Sequence, residues 1–230
     1  MARPREPKIN PGTLKAVVFD LDGTLLDTLG DLQAAVNHVM ASHGWPARSL
    51  EQVRGDLGYG NVKLMELSLP VQVEDEVFSQ LMEEFRTYYR AHMDVRTKPY
   101  EGIGQALSAL RAVGLRLAVV SNKFDAAVKG LVEQYFGDRF QAVYGEDEAH
   151  GYHRKPAPDL VNRVMAEFKL KPADCCYVGD SEVDIQTAAN AGLPCVSVCW
   201  GFRTEEQLRE SHARYVAHDP MELLHLLLGV

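Results

Sequence analysis

Apolar residues in this chain arrive in short unbroken runs that stop at polar turn signals. Lys15 precedes Ala16-Val17-Val18-Phe19, which halts at Asp20-Leu21-Asp22-Gly23. Leu117-Ala118-Val119-Val120 runs into Ser121-Asn122, and Phe140 to Tyr144 runs into Gly145-Glu146-Asp147. Cys175-Cys176-Tyr177-Val178 leads to Gly179-Asp180-Ser181, and Pro194 introduces Cys195 to Trp200, which ends at Gly201. Runs of this length, rich in β-branched residues and closed by turn signals, predict five buried strands. Because they do not alternate, both faces of the sheet are covered, as in a parallel sheet.

Helical periodicity fills the intervals. Ile103, Ala106, Leu107 and Leu110 share a face and end at Gly114; Ala126 to Tyr135 closes at Gly137. Leu160, Val161, Val164, Met165 and Phe168 mark a third helix, and Val183 to Ala189 a fourth, ending at Gly192. Asp219-Pro220 with Glu222 reads as an N-cap followed by proline at the first helical position. From about residue 97 onward strand and helix alternate, which predicts an α/β fold with right-handed crossovers and helices on both faces, a Rossmann-like sheet.

The interval between the first two strands is too long for one crossover. Within it Leu29, Leu32, Val36, Val39 and Met40 lie on one helical face closed by Gly44, and Ser49 with Gln52 has capping-box spacing. Val77, Phe78, Leu81, Met82, Phe85, Tyr88, Tyr89 and His92 mark a longer amphipathic helix. No strand pattern interrupts them. The expected organisation is an α/β core from residues 1–27 and 97–230, with an all-helical insert over 28–96. There are no internal repeats or low-complexity segments.

Composition narrows the function classes. With 46% hydrophobic and 24% charged residues, the chain has a globular balance. No stretch approaches the ~18 apolar residues of a membrane span. Residues 1–12 carry three prolines and charge without an apolar stretch, and read as a short lead rather than an export signal. A formal charge of −8 sets the overall field against a polyanion, so no nucleic-acid partner is expected. The four cysteines have neither CxxC spacing nor neighbouring histidine clusters, so they read as small core residues of a cytoplasmic protein rather than zinc ligands.

Four polar segments fall at predicted strand ends or in loops that reach them, the edge where open α/β sheets bind ligands. They are Asp20-Leu21-Asp22-Gly23-Thr24, Ser121-Asn122, Lys155-Pro156 and Gly179-Asp180-Ser181-Glu182-Val183-Asp184. Each alone has an ordinary alternative: a turn, a solvated loop, or acidic residues at a helix start. Together they put several carboxylates at one edge, where they would repel without a cation. Oxygen-only donors point to Mg²⁺, and magnesium pairs naturally with a phosphate substrate. Ser121, Asn122 and Lys155 supply donors and a positive charge for that phosphate.

The ordered set of DLDGT, Ser-Asn, Lys-Pro and GDSxxD resembles the haloacid dehalogenase-like (HAD) hydrolase superfamily. The resemblance spans essentially the whole chain, and the insert resembles that superfamily's helical cap. Ser121-Asn122-Lys123 and the segment from Val178 to Gly192 further resemble its phosphoglycolate phosphatase branch. The resemblance implies Asp20 as nucleophile, forming an aspartyl phosphate, and Asp22 as general acid and then base. It implies that Mg²⁺ is held by Asp20, the Asp22 carbonyl and Asp180, with Asp184 holding a metal-bound water or orienting Lys155. Thr24, Ser121 and Asn122 would bind substrate, and Lys155 would offset charge on nucleophile and phosphate.

The cap of such an enzyme would read the rest of the substrate. Gly55 to Asn61 matches the place of the cap loop that faces the site, although a plain interhelical turn is the alternative. Arg54, the leading candidate, or Lys63 could meet a substrate carboxylate; a surface salt bridge is the other reading. His150, Tyr152, His153 and Arg154 form either an entrance or an exposed loop face. The expected activity is hydrolysis of a small phosphorylated metabolite, with 2-phosphoglycolate first, by a monomer or homodimer. Inorganic pyrophosphatase, sugar phosphomutase and a non-catalytic binding protein on the same fold are the alternatives. Dehalogenation is disfavoured, because Asp22 and the dense carboxylates would be unnecessary for it.

Overall fold

The computed structural model describes residues 7–229; residues 1–6 of the expected lead, and residue 230, lie outside the described residues. The expected strands form β1 (Ala16–Phe19), β4 (Arg116–Phe124), β5 (Ala142–Glu146), β6 (Cys175–Gly179) and β7 (Cys195–Val198). A sixth strand, β8 (Tyr215–Ala217), was not expected and corrects the count of five. It is three residues long and half-buried, too short to show a periodicity, and it owes its existence to pairing with β7. The sheet runs in the order β5-β4-β1-β6-β7-β8, with every neighbouring pair parallel.

Successive strand residues point to opposite faces, so each unbroken apolar run feeds two cores. Val17, Phe19, Leu117, Val119, Cys176 and Val178 meet helices α5 (Ile103–Ala112), α6 (Asp125–Phe136) and α10 (Pro220–Leu228). Ala16, Val18, Ala118, Val120, Cys175 and Tyr177 meet α7 (Asp159–Phe168) and α8 (Glu182–Ala191). Burying each large apolar side chain is worth about 1.5–3 kcal/mol, which is why both faces must be covered. Cys175, Cys176 and Cys195 are buried in these cores. Among the described residues no helix is long and apolar enough to cross a membrane.

Between β1 and β4 the chain forms α1 (Leu29–Ser42), α2 (Leu50–Asp56), α3 (Asn61–Ser68) and α4 (Asp75–His92). The Ser49–Gln52 capping box is present at the start of α2. Helix α3 was not anticipated; it is one short stretch, it starts on a glycine with no side-chain cap, and its Leu67 is exposed. The expected apolar face of α4 is buried at Leu81, Met82, Phe85 and Tyr89, whereas Val77 points outward. These helices share an apolar cluster of their own, joined by Phe202 from beyond β7. At their base β2 (Leu26–Asp27) pairs antiparallel with β3 (Lys98–Pro99), a two-residue ribbon that ties the entering and leaving chains together.

Strand β1 lies between β4 and β6, and the strand order reverses around it. The carboxyl ends of β1, β4 and β6 are therefore adjacent at the reversal, where a crevice forms. A register shift between Val120 and Phe124 on β4 displaces Ser121 to Lys123 from the regular ladder at that edge.

A buried carboxylate–lysine cluster as candidate active site

Asp20 follows β1 directly, and its backbone N–H donates to the Val178 carbonyl of β6 at 2.9 Å, which places it over the gap between the strands. Asp180 follows β6, and Asp184 stands at the third position of α8, behind the N-cap Ser181. Carboxylate oxygens of Asp20, Asp180 and Asp184 all lie within 4.8 Å of one another, and all three residues are buried. Lys155, from the loop before α7, reaches in with a side chain 3% exposed; its Nζ is 2.9 Å from Asp20 Oδ1 and 2.7 Å from Asp184 Oδ1.

These carboxylates are not equivalent. Asp184 is saturated: Oδ1 accepts from Lys155, and Oδ2 accepts from the Asp180 and Ser181 N–H groups and, at 2.6 Å, from Ser181 Oγ. It therefore holds Lys155 and the backbone beneath Asp180. Asp180 accepts from Thr24 Oγ1 at 3.1 Å and from the Phe202 N–H at 2.7 Å. Among the described residues, Asp20 Oδ1 has Lys155 as its one polar partner, at 2.9 Å, in a buried site.

The electrostatics follow from that crowding. Burial raises the Asp20 pKa to about 7, with Asp184 and Asp22 adding to the rise and Lys155 opposing it. Burial, Asp184 and Asp20 hold Asp180 well above the usual carboxylate range. Burial works against the Lys155 ammonium, but Asp184 and Asp20 outweigh it and hold its pKa well above the ordinary lysine value. Three buried carboxylates share one ammonium, a surplus of negative charge that a cation would relieve. An all-oxygen donor set, with three buried carboxylates to one ammonium, fits a hard divalent ion such as Mg²⁺.

The structure brings Asp20, Asp22, Ser121, Asn122, Lys155 and Asp180 together on the walls of one cleft. It encloses about 30 Å³, and Leu57, Gly58, Gly60 and Asn61 of the insert form its roof. Asn122 is fully engaged: its Nδ2 donates to the Lys155 and Gly58 carbonyls, and its Oδ1 accepts from the Lys155 N–H at 2.7 Å. It sets the path of the lysine loop and touches the roof. Thr24 is fully buried behind Asp180 rather than on the cleft wall. Gly23 has φ +85°, and a Cβ there would lie 2.4 Å from Asp180 Oδ2, so glycine is required by both conformation and space.

Other candidates lie elsewhere. Arg54 lines a neighbouring cavity of about 420 Å³ with Arg96, Lys98 and Tyr100, not the cleft. Lys63 pairs with Glu66 at 2.9 Å on the surface. His153 pairs with Asp159, His150 with Asp147, and Arg154 with Glu146 and Glu148, as an exposed loop face would.

Two features were missed by reasoning from sequence. Lys123 is buried, with Nζ 2.6 Å from Asp22 Oδ1 and 4.8 Å above the Tyr89 ring of α4. Its only signal was its position after Ser121-Asn122. The segment from Trp200 to Arg203 wraps the other side of Asp180. Trp200 Nε1 donates to the Thr24 carbonyl at 3.0 Å, and a Cβ at Gly201 would lie 2.4 Å from both Asp180 Oδ2 and the Gly23 carbonyl oxygen.

Comparison with known proteins adds to this geometry. The family model for haloacid dehalogenase-like hydrolases matches residues 17–198. A phosphoglycolate phosphatase from Thiobacillus denitrificans is 32% identical over 205 residues, covering 87% of this chain and 89% of that protein. One from Rhodobacter capsulatus is 34% identical, covering 82% and 85%. The crystal structure of a Lactobacillus delbrueckii protein, provisionally named a phosphoglycolate phosphatase, superposes with a TM-score of 0.89 at 32% identity, covering 95% of this chain and all of that one.

Proposed function

The chain belongs to the haloacid dehalogenase-like hydrolase family, and from that premise we propose that it is a Mg²⁺-dependent phosphatase of a small phosphomonoester, with 2-phosphoglycolate as its substrate. The observation that carries this reading is the buried cluster of Asp20, Asp180 and Asp184 around a single ammonium, that of Lys155. A binding protein gains nothing from an arrangement this unfavourable electrostatically, whereas a site for a cation and a phosphoryl group does. The phosphoglycolate phosphatases similar over most of the chain supply the choice of substrate.

In this reading Asp20 attacks phosphorus, the ester oxygen leaves, and an aspartyl phosphate forms. Asp22 gives its proton to the leaving alkoxide. It then takes a proton from the water that attacks phosphorus, which releases phosphate and restores Asp20. Lys123 holds Asp22 by Oδ1, leaving Oδ2 to carry the proton. Asp20, the Asp22 carbonyl and Asp180 would hold Mg²⁺, which supplies charge neutralisation to the phosphoryl oxygens. Lys155 offsets charge on the nucleophile, Asp184 fixes Lys155, and Ser121 faces the phosphoryl group. Positioning and charge neutralisation are the sources of catalysis in such a reaction.

Residues 28–96 act here as a cap domain on the core formed by 1–27 and 97–230. The 30 Å³ cleft has room for little more than ordered water, so the cap lifts to admit substrate and closes to exclude solvent. Its roof is made of Leu57, Gly58, Gly60 and Asn61, and the small volume beneath it favours a small substrate over a sugar phosphate. Arg54 stands outside this cleft and has no direct part in binding in the closed form.

Phosphate release from 2-phosphoglycolate, a hexose phosphate, pyrophosphate and an aryl phosphate, each with Mg²⁺ and with EDTA, tests the proposal. The expected result is Mg²⁺-dependent hydrolysis with the highest kcat/KM on 2-phosphoglycolate. Preference for pyrophosphate or the hexose phosphate would displace the substrate, and no release from any would displace the activity.

A further inference from the structure

The segment that follows β7 reaches in two directions. It is anchored behind by β7 and ahead by α9 (Glu205–Glu210), whose Thr204–Gln207 capping box fixes the exit. Phe202 donates its N–H to Asp180 Oδ2 at 2.7 Å, while its buried side chain joins the apolar cluster of the insert. Arg203, the next residue, has a side chain only 10% exposed. Its Nε and Nη2 form a fork on the Glu182 carboxylate at 2.8 and 3.0 Å. Its remaining donors cross to the insert: Nη1 donates to the Arg54 carbonyl at 3.1 Å and Nη2 to the Leu57 carbonyl at 2.8 Å.

Those two carbonyls belong to the last turn and C-cap of α2, immediately before the glycine loop that roofs the cleft. Carbonyls at a helix C-terminus carry partial negative charge, and a guanidinium is a strong cap for them; the Arg54 carbonyl otherwise accepts, among the described residues, only a long 3.4 Å bond from the Leu57 N–H. Glu182 sits in the first turn of α8, on the core, so the fork stays with the core when the insert moves. A planar guanidinium held on both sides loses little freedom when the two carbonyls arrive. Gly58 makes the only other polar contact of this loop with the core that is seen among the described residues, a 3.3 Å bond from Asn122.

We propose that Arg203 is the positioning residue that seats the roof loop of the insert over the cleft, and that it thereby sets how readily the cleft closes on substrate. Its kinetic consequence rests on the phosphatase reading; its structural consequence does not. An apparent affinity falls by the fraction of molecules able to close, so weakening the seat raises KM more than it lowers kcat.

The test is Arg203→Met compared with Arg203→Lys and Glu182→Gln, using hydrogen–deuterium exchange and steady-state kinetics on 2-phosphoglycolate. Arg203→Met is expected to speed exchange in residues 50–65 by about ten-fold or more, since both charge-assisted bonds to α2 are lost, with β1, β4 and β6 unchanged. KM should rise by a similar factor. Arg203→Lys, which keeps charge but not the fork, should fall between, and Glu182→Gln should move the same segment less. Unchanged exchange in 50–65 overturns the proposal even if activity falls. Faster exchange throughout the strands also overturns it, because Arg203 would then be a general stability residue. If the unaltered protein hydrolyses none of the phosphoesters, the function fails while the exchange result still decides the role of Arg203.

Discussion

Replacing Lys155 with methionine removes the one ammonium from the three-carboxylate cluster while keeping most of the side-chain volume. At an effective dielectric of about 20, the contacts at 2.9 and 2.7 Å each amount to about 6 kcal/mol before desolvation. Desolvation of the buried ions offsets much of that, and removing one partner of a buried pair costs about 3–5 kcal/mol net. Asp20 and Asp180, already raised by burial, then take up protons and limit the loss to the lower end. In EDTA near pH 7, about 3 kcal/mol corresponds to a fall in Tm of about 6–12 °C for a chain of this size. Mg²⁺ should behave oppositely. With no ammonium competing for the same oxygens, its Kd, measured at a pH high enough to keep these carboxylates ionised, should tighten by about ten-fold or more, although turnover falls by about 10²–10³. Thermal unfolding in EDTA and across a Mg²⁺ titration measures both, since stabilisation grows with the ratio of ligand to Kd. An unchanged Tm in EDTA, or weaker Mg²⁺ binding in Lys155→Met, would refute the electrostatic account.

Three further outcomes follow from the same site. Asp20→Asn should lose turnover by about 10³ or more for want of a nucleophile, yet unfold no lower in EDTA, because a carboxylate raised to about 7 is disfavoured in the fold; full activity with deamidation excluded by mass would sink the mechanism. Because Asp20 is raised, its ionisation costs the metal-free protein stability, which is present at low pH and lost as pH rises through about 7. Mg²⁺ must displace that proton below pH 7, so its apparent affinity should climb about ten-fold per pH unit up to 7 and then level off; calorimetry showing a flat profile from pH 5.5 to 7.5 counts against it. Gly201→Ala places a Cβ 2.4 Å from Asp180 and should cost about 1–3 kcal/mol together with Mg²⁺ affinity, whereas Gly104→Ala, with nothing within 4 Å, should leave both unharmed.

The sequence alone was enough for whatever is local or periodic. Unbroken apolar runs at Ala16–Phe19 and Cys175–Val178, closed by turn signals, read as strands covered on both faces, and the capping signals at Ser49 and Asp219 mark helix starts through their own hydrogen bonds. The order of the polar segments after those strands is also a local property, so the carboxylates and Lys155 could be named before their distances were known. Tertiary structure decided everything that depends on a partner far along the chain. Strand β8 exists because β7 offers it an edge, and the β2–β3 ribbon because the two ends of the insert meet. Thr24 reads as a cleft residue in its motif, but across a separation of 156 residues its hydroxyl braces Asp180 instead. Nothing local in the sequence marks Lys123 or Arg203 for burial, yet packing covers both against Asp22 and Glu182, because a charge can leave water only where the fold supplies its counter-charge. Arg54 looks like a cleft residue beside its glycine loop, but the last turn of α2 points it into a different cavity, a matter of helix direction that no local pattern encodes.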